Sequence, residues 1–226
     1  MIATRHRFSA SPRLTPIAGF SVRREMSLDV MARLQHRSAL DMGQRMWDGH
    51  RAYVASIGDA DVAWGWVATE TAMIGEIQSA FDIPKRERYL WNFVTRQEYR
   101  GLGIYPRLLD GIVSAEMVEA DRFWVAYAPE NHASGNGIHK AGFETVAQIS
   151  FDMHGRPAIR MLIDDAPNPG PMLGLPSLQE ALAQCWRCVR LGKKPEASCR
   201  PSECRCDYQR PEKQCAQAST AMAPAT

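Results

Sequence analysis

Hydrophobic and polar positions along the chain follow two alternating rhythms. Residues 20–26 alternate loosely and predict a first strand. Ser27 then stands as an N-cap before a stripe of Leu28, Val30, Met31 and Leu34, and residues 39–47 continue as a second short helix. Residues 51–57 and 62–69, joined by Gly58-Asp59-Ala60-Asp61, read as an antiparallel hairpin. Residues 73–81 are a short extended piece. Residues 89–95, Tyr-Leu-Trp-Asn-Phe-Val-Thr, are the strongest central strand. A glycine turn at Gly101 and Gly103 leads into a helix with Pro106 in its first turn and Leu108, Leu109, Ile112 and Ala115 on one face. Residues 123–127 form a further strand, residues 133–141 a short helix stopped by Gly142, and residues 144–153 and 156–163 a last hairpin turned by His154-Gly155.

The rhythm stops at both ends. Residues 1–19 are aperiodic and predict an irregular lead-in, so the periodic domain spans 20–163. Residues 164–226 open on Ala166-Pro-Asn-Pro-Gly-Pro171, hold a short helical pattern between Leu173 and Leu191, and end in a Cys-rich tail expected to have little order. The expected fold class is α+β, with a mixed, mostly antiparallel central sheet flanked by helices.

Composition narrows the function classes. Among 226 residues, 27 are basic and 25 acidic, and the net charge of +2 argues against a nucleic-acid partner. No apolar run is long enough for a membrane-spanning helix. All six cysteines lie from Cys185 onward, and a cysteine-free body points to a reducing, cytoplasmic setting.

The stretch from Val94 to Leu109 carries the chemistry. A strand, a glycine turn and a helix N-terminus together present unpaired backbone N–H groups at the positive end of a helix, which suits a diphosphate. Gly101 and Gly103 allow close approach of the backbone, and Arg100 adds a forked cation. The glycine spacing is neither that of a dinucleotide fingerprint nor that of an ATPase phosphate loop. Read alone, the turn is equally a plain strand-to-helix connection. Beyond it, after an apolar strand, comes Asn131-His-Ala-Ser-Gly-Asn-Gly-Ile-His-Lys-Ala-Gly-Phe143.

Together these two motifs resemble the GNAT acetyltransferase superfamily over roughly residues 53–163. Arg100, Gly103 and Tyr105 fall on the defined positions of the family's coenzyme A diphosphate turn. Asn131, Ser134, Lys140, Gly142 and Phe143 match its second motif. The resemblance implies transfer of an acetyl group from acetyl-CoA to an amine of a small molecule or peptide. It implies coenzyme contacts from Phe93, Val94 and Thr95, from the turn Arg100, Gly101, Leu102, Gly103, Ile104 and Tyr105, and from Asn131. It offers Glu87 as general base, with Glu76 as second candidate. Period-two alternation puts Glu87, Tyr89, Trp91 and Phe93 on one strand face. Two positions depart from the family pattern. Tyr105 stands where a small residue is usual, and Ile138 stands where many members carry a tyrosine acid. The second departure supports a rival reading, a non-catalytic acyl-CoA-binding module that acts through its tail. Trp64, Trp66, Tyr89 and Trp91 are either core or the lining of an acceptor cleft.

The tail has chemistry of its own. Cys185, Cys188, Cys204 and Cys206 provide the four soft ligands that tetrahedral zinc takes; the alternative is an extension without metal.

Overall fold

The computed structural model describes residues 1–152, 154–178 and 185–190. Ten strands and six helices follow in the order β1 (Ile2–His6), β2 (Phe20–Glu25), α1 (Leu28–Gln35), α2 (Ala39–Trp47), β3 (His50–Ile57), β4 (Ala60–Ala68), β5 (Thr71–Ile74), β6 (Ser79–Asp82), β7 (Glu87–Thr95), α3 (Ile104–Glu116), β8 (Arg122–Ala126), α4 (His132–Lys140), β9 (Glu144–Phe151), β10 (Pro157–Met161), α5 (Gly170–Leu173) and α6 (Trp186–Arg190). Eight strands form one sheet in the order β10-β9-β1-β8-β7-β4-β3-β2. Every neighbouring pair in it is antiparallel except β7 and β8. The fold class is thus the one expected, α+β around a mixed, mostly antiparallel sheet. The extended piece before the central strand resolves into a separate two-stranded hairpin, β5–β6.

The local signals act as the pattern predicts. The Ser27 and Ser38 side chains accept from the Val30 and Asp41 N–H groups and start α1 and α2. Helices α3 and α4 cover one sheet face, where Leu108, Ile112 and Ile138 pack with Leu90, Phe123 and Val125. On the other face, Met31 and Met42 of α1 and α2 pack against Val54 and Trp66.

Both ends of the chain correct the expectation. Residues 2–6, inside the supposed irregular lead-in, are β1, which lies between β8 and β9 within the sheet. Its sequence, Ile-Ala-Thr-Arg-His, hides this because two of its inward residues are polar. Arg5 is buried and is held by Asp110 Oδ1 and the Ala141 carbonyl, both at 2.8 Å. The Thr4 hydroxyl donates to the Phe123 carbonyl. Once paired in this way, buried polar groups are tolerated, and a strand can form without apolar alternation.

The linker reading of the segment after Asp164 also fails. Leu178 N–H donates to the Ile159 carbonyl, and Ser177 bridges Ile159 in parallel. Leu173, Cys185 and Trp186 are buried, and Leu173 and Trp186 join the cluster of Phe81, Tyr89, Trp124 and Ile149. Apolar burial against the sheet outweighs the turn propensity of Pro and Gly here.

A polar clamp lies where the C-terminal turn of α3 meets the sheet. Glu116, 1% exposed, accepts from Tyr53 Oη at 2.6 Å, and from Arg51 Nη1 and Arg88 Nε, both at 2.8 Å. Burial alone would raise this carboxyl's pKa. The hydrogen bonds from Tyr53, Arg88 and Arg51 outweigh burial and hold it below the usual carboxylate range.

Two predictions follow from this packing. Glu116→Ala leaves two arginines facing an empty carboxylate seat and should cost about 3–5 kcal/mol, the usual penalty for breaking a buried pair from one side. Because the folded pKa is lowered, the carboxylate's contribution is present above its unfolded pKa and is lost as the pH falls through the folded one. Urea unfolding at neutral and acid pH should therefore show the wild-type advantage shrinking in acid. Separately, a chain that ends after Ile163 should be less stable than one that ends after Arg190 by roughly 3–6 kcal/mol, the value of burying the Leu173 and Trp186 side chains. Equal denaturation midpoints for the two truncations would refute this.

Candidate active site

The candidate site begins with a break in the sheet. Strands β7 and β8 pair in parallel from Glu87↔Arg122 to Leu90↔Val125 and then part. Beyond that point β7 stays with β4, as far as Ala63↔Thr95. The other strand stays with the chain start, where Tyr127 N–H donates to the Met1 carbonyl. Among the described residues, no strand pairs with the edge of β7 that faces β8 from Trp91 to Thr95.

A bulge reinforces the parting. Between the pairs Trp64↔Val94 and Trp66↔Trp91, β7 advances three residues while β4 advances two. Asn92 sits in the left-handed region at φ 54°, a conformation that Asn tolerates better than other side chains with a Cβ. The extra residue switches the alternation. Trp91 packs on the α1–α2 face, while Phe93 turns to the α3–α4 face and lies over Gly65, where a Cβ would collide with its ring. The expected common face of Trp91 and Phe93 is therefore corrected.

The parted strands open a cleft of about 430 Å³. One wall is β7 from Leu90 to Thr95, and the floor includes Val125 and Ala126. The far end is the turn before α3, and Asn131, Ser134, Gly137 and Lys140 of the α4 region close the other side. Gly101 and Gly103 hold φ 81° and 71°, which lets the turn run close under the cleft. Gly103 caps α3 without any side-chain hydrogen bond, so the first N–H groups of the helix keep their donor capacity. Arg100 Nε donates to the Thr95 carbonyl at 3.1 Å, which fixes the guanidinium beside the turn. Exposed Lys140 stands across the opening. Backbone donors, a helix N-terminus and Arg100 at one end of the channel, with Lys140 across its opening, suit an elongated molecule that bears a phosphate group.

The structure brings most of the expected residues together. Phe93, Val94, Thr95, Arg100, Gly101, Gly103, Ile104, Tyr105 and Asn131 all line the cleft. Leu102 is not among them and is exposed. The Asn131 side chain also accepts from Ser134 N–H as the N-cap of α4. Glu87 is not brought to the cleft. It lies at the opposite end of β7, seven residues before Val94, or about 23 Å along an extended strand. Its Oε2 accepts from Trp124 Nε1. Glu76 is exposed in the β5–β6 turn and does not line the cleft either. Ile138 is fully buried in the core, so position 138 carries no acid. His139 bonds Thr145 Oγ1 at 2.7 Å on the outer side of α4. Of the proposed zinc ligands, Cys185 and Cys188 are buried, and Cys204 and Cys206 lie outside the described residues. Among the described residues, no group of three or more metal-ligating side chains comes together.

Several lining residues were not foreseen as site residues. Asn92 carried a readable signal, since Asn is a poor strand former and marks a bulge when it stands mid-strand. The glycines of α4 carried another. A Cβ on Gly137 would lie 2.5 Å from Tyr105 Cδ1, and one on Gly135 would lie 2.8 Å from Tyr127 Cε2. Each of these glycines provides a notch for a tyrosine ring.

No protein-family model and no curated protein matches the chain. Solved structures similar to it include acetyltransferases. One is a Bacillus subtilis acetyltransferase in complex with CoA, 14% identical with a TM-score of 0.42, matched over 61% of this chain and 82% of that one. A second is described as a GNAT-family acetyltransferase from Novosphingobium aromaticivorans, 15% identical with a TM-score of 0.43, over 64% of this chain and 59% of that one. A third is AAC(6')-Iy in complex with a bisubstrate analogue, 15% identical with a TM-score of 0.46, over 59% of this chain and 96% of that one.

The turn yields a direct test. At Gly101 a Cβ meets nothing within 4 Å, whereas at Gly103 it would lie 2.5 Å from Arg107 Nη1. Gly101→Glu strains the positive φ but clashes with nothing, and it places a carboxylate among the anion donors. Its affinity for a phosphate-bearing coenzyme should fall about 10²-fold or more, the scale of a few kcal/mol of like-charge repulsion. Gly101→Ala serves as the control for the positive φ. Calorimetric titration with CoA reads both.

Proposed function

We propose that the protein is an acyltransferase that moves an acetyl group from acetyl-CoA to an amine by direct attack. The observation that carries this reading is the meeting of an uncapped helix N-terminus, Arg100 and the unpaired edge of β7 in one cleft. The diphosphate of the coenzyme would take the N–H groups from Gly101 to Tyr105. The pantetheine arm, an extended amide chain, would pair with the free edge of β7 at Phe93, Val94 and Thr95 in place of the missing strand. The thioester would then lie where β7 and β8 part, with a strand N–H placed to polarise its carbonyl. The neutral amine adds to the carbonyl carbon, a C–N bond forms, the C–S bond breaks, and the amine's extra proton passes to solvent. Neither Glu87 nor Glu76 is placed to take that proton.

The rival reading, a non-catalytic acyl-CoA-binding module, draws on the loss of an acid at Ile138. Catalysis and binding separate in one experiment. Purified protein is incubated with acetyl-CoA and a panel of polyamines, aminoglycosides, amino acids and peptides, and released CoA thiol is measured. Turnover with at least one amine is expected, and Arg100→Ala should raise the KM for acetyl-CoA about 10-fold by removing one charge-assisted contact. Tight acetyl-CoA binding with no thiol release from any amine favours the binding module. The absence of acetyl-CoA binding overturns both readings.

A further inference from the structure

We propose that the Tyr105 phenol is the hydrogen-bond donor to the sulfur of the coenzyme, so that it stabilises the thiolate that leaves. This inference rests on the acyltransferase reading and names a residue for one of its steps. Tyr105 is the second residue of α3 and lines the cleft. Its ring is fixed on two sides. The Phe93 ring lies 5.4 Å away on the β7 side. The notch at Gly137 admits it on the α4 side, where even an alanine Cβ would collide. The phenol therefore sits between the strand wall and the helix wall and is not free to swing outward.

The polar surroundings of the phenol set its role. The Ser134 hydroxyl hydrogen-bonds it from the first turn of α4. Ser134 can donate to Oη, which leaves the phenol's own O–H for an occupant of the cleft. Burial pushes the phenol's pKa well above its ordinary range, and the bond from Ser134 offsets only part of that. A phenol is ordinarily a weaker acid than a thiol, about 10 against about 8.5, and burial widens the gap. Tyr105 consequently stays protonated while a thiolate forms beside it. It donates a hydrogen bond and does not give up its proton.

The step balances without a further reagent. The amine nitrogen supplies the pair for the new C–N bond, and the C–S pair leaves on sulfur, where the Tyr105 O–H meets it. The thiolate then takes a proton from solvent, which has received one from the amine. The strand N–H on the opposite wall serves the carbonyl oxygen, so the two charged atoms of the transition state have separate donors.

The test has one readout that needs no acceptor. CoA and desulfo-CoA are titrated into wild-type protein and Tyr105→Phe from about pH 6.5 to about pH 9, across the ordinary thiol range. In the wild type, the advantage of CoA over desulfo-CoA should grow with pH, because the bound thiol ionises more readily. In Tyr105→Phe, the bound thiol's pKa should lie about one to two units higher, the equivalent of one hydrogen bond to a charged atom, and the advantage should stay nearly flat. Turnover with the best amine of the panel should fall about 10- to 10²-fold in kcat, with KM for acetyl-CoA nearly unchanged. Ser134→Ala should produce a smaller change in the same direction. An equal pH response in wild type and Tyr105→Phe overturns the assignment. So does a wild type in which the advantage of CoA does not change with pH. Failure of both ligands to bind the wild type instead overturns the acyltransferase reading itself.

Discussion

Two parallel strands that meet for only four residues organise this molecule. β7 and β8 pair from Glu87 to Leu90, and each then follows a different neighbour. Backbone N–H and C=O groups left behind by the parted sheet keep their donor and acceptor capacity, here along a half-exposed strand edge that lines the cleft. The parting therefore creates a site with a definite chemical appetite. It favours an extended chain that carries amides, and it points that chain at the turn before α3. The bulge at Asn92 adds to this by sending Phe93 to the helix side, where its ring and the Tyr105 ring form one wall.

The remainder of the fold keeps the two strands apart and in place. At the joined end, Arg88 of β7 and Arg51 of β3 converge on Glu116 of α3 and tie the helix to the sheet. At the open end, α4 lies over Tyr105 and Tyr127 through its glycine notches. Arg107 spans from the Gly103 carbonyl to the Thr15 carbonyl and pins the chain before β2 against the turn. The helix that presents the anion donors is thus anchored at both ends by charged side chains on backbone or carboxylate partners.

Much of this was legible in the residues, for reasons that differ by element. α1 and α2 announced themselves through Ser27 and Ser38 and their apolar stripes, because caps and periodicity are local. The glycine turn before α3 was legible because positive φ favours glycine at 101 and 103. β1 was not, since Arg5 and Thr4 are buried by partners distant in sequence, at Asp110, Ala141 and Phe123. Leu173 and Trp186 were misjudged for the same reason: their packing partners, among them Phe81, Tyr89, Trp124, Ile149 and Ile159, come from strands β6 to β10. The family resemblance offered Glu87 as a base, but a place at the start of a strand says nothing about which end of the strand opens, and here the far end does. Strand alternation failed at Asn92, where one inserted residue reverses the faces of everything after it.

The central claim is that an extended coenzyme chain completes the parted sheet. A crystal structure of the protein with CoA tests it most directly. The account predicts the diphosphate on the N–H groups from Gly101 to Tyr105, the pantetheine amides hydrogen-bonded to β7 between Phe93 and Thr95, and the sulfur within reach of Tyr105 Oη. A diphosphate bound elsewhere, or a pantetheine arm that leaves the edge of β7 unpaired, would contradict it.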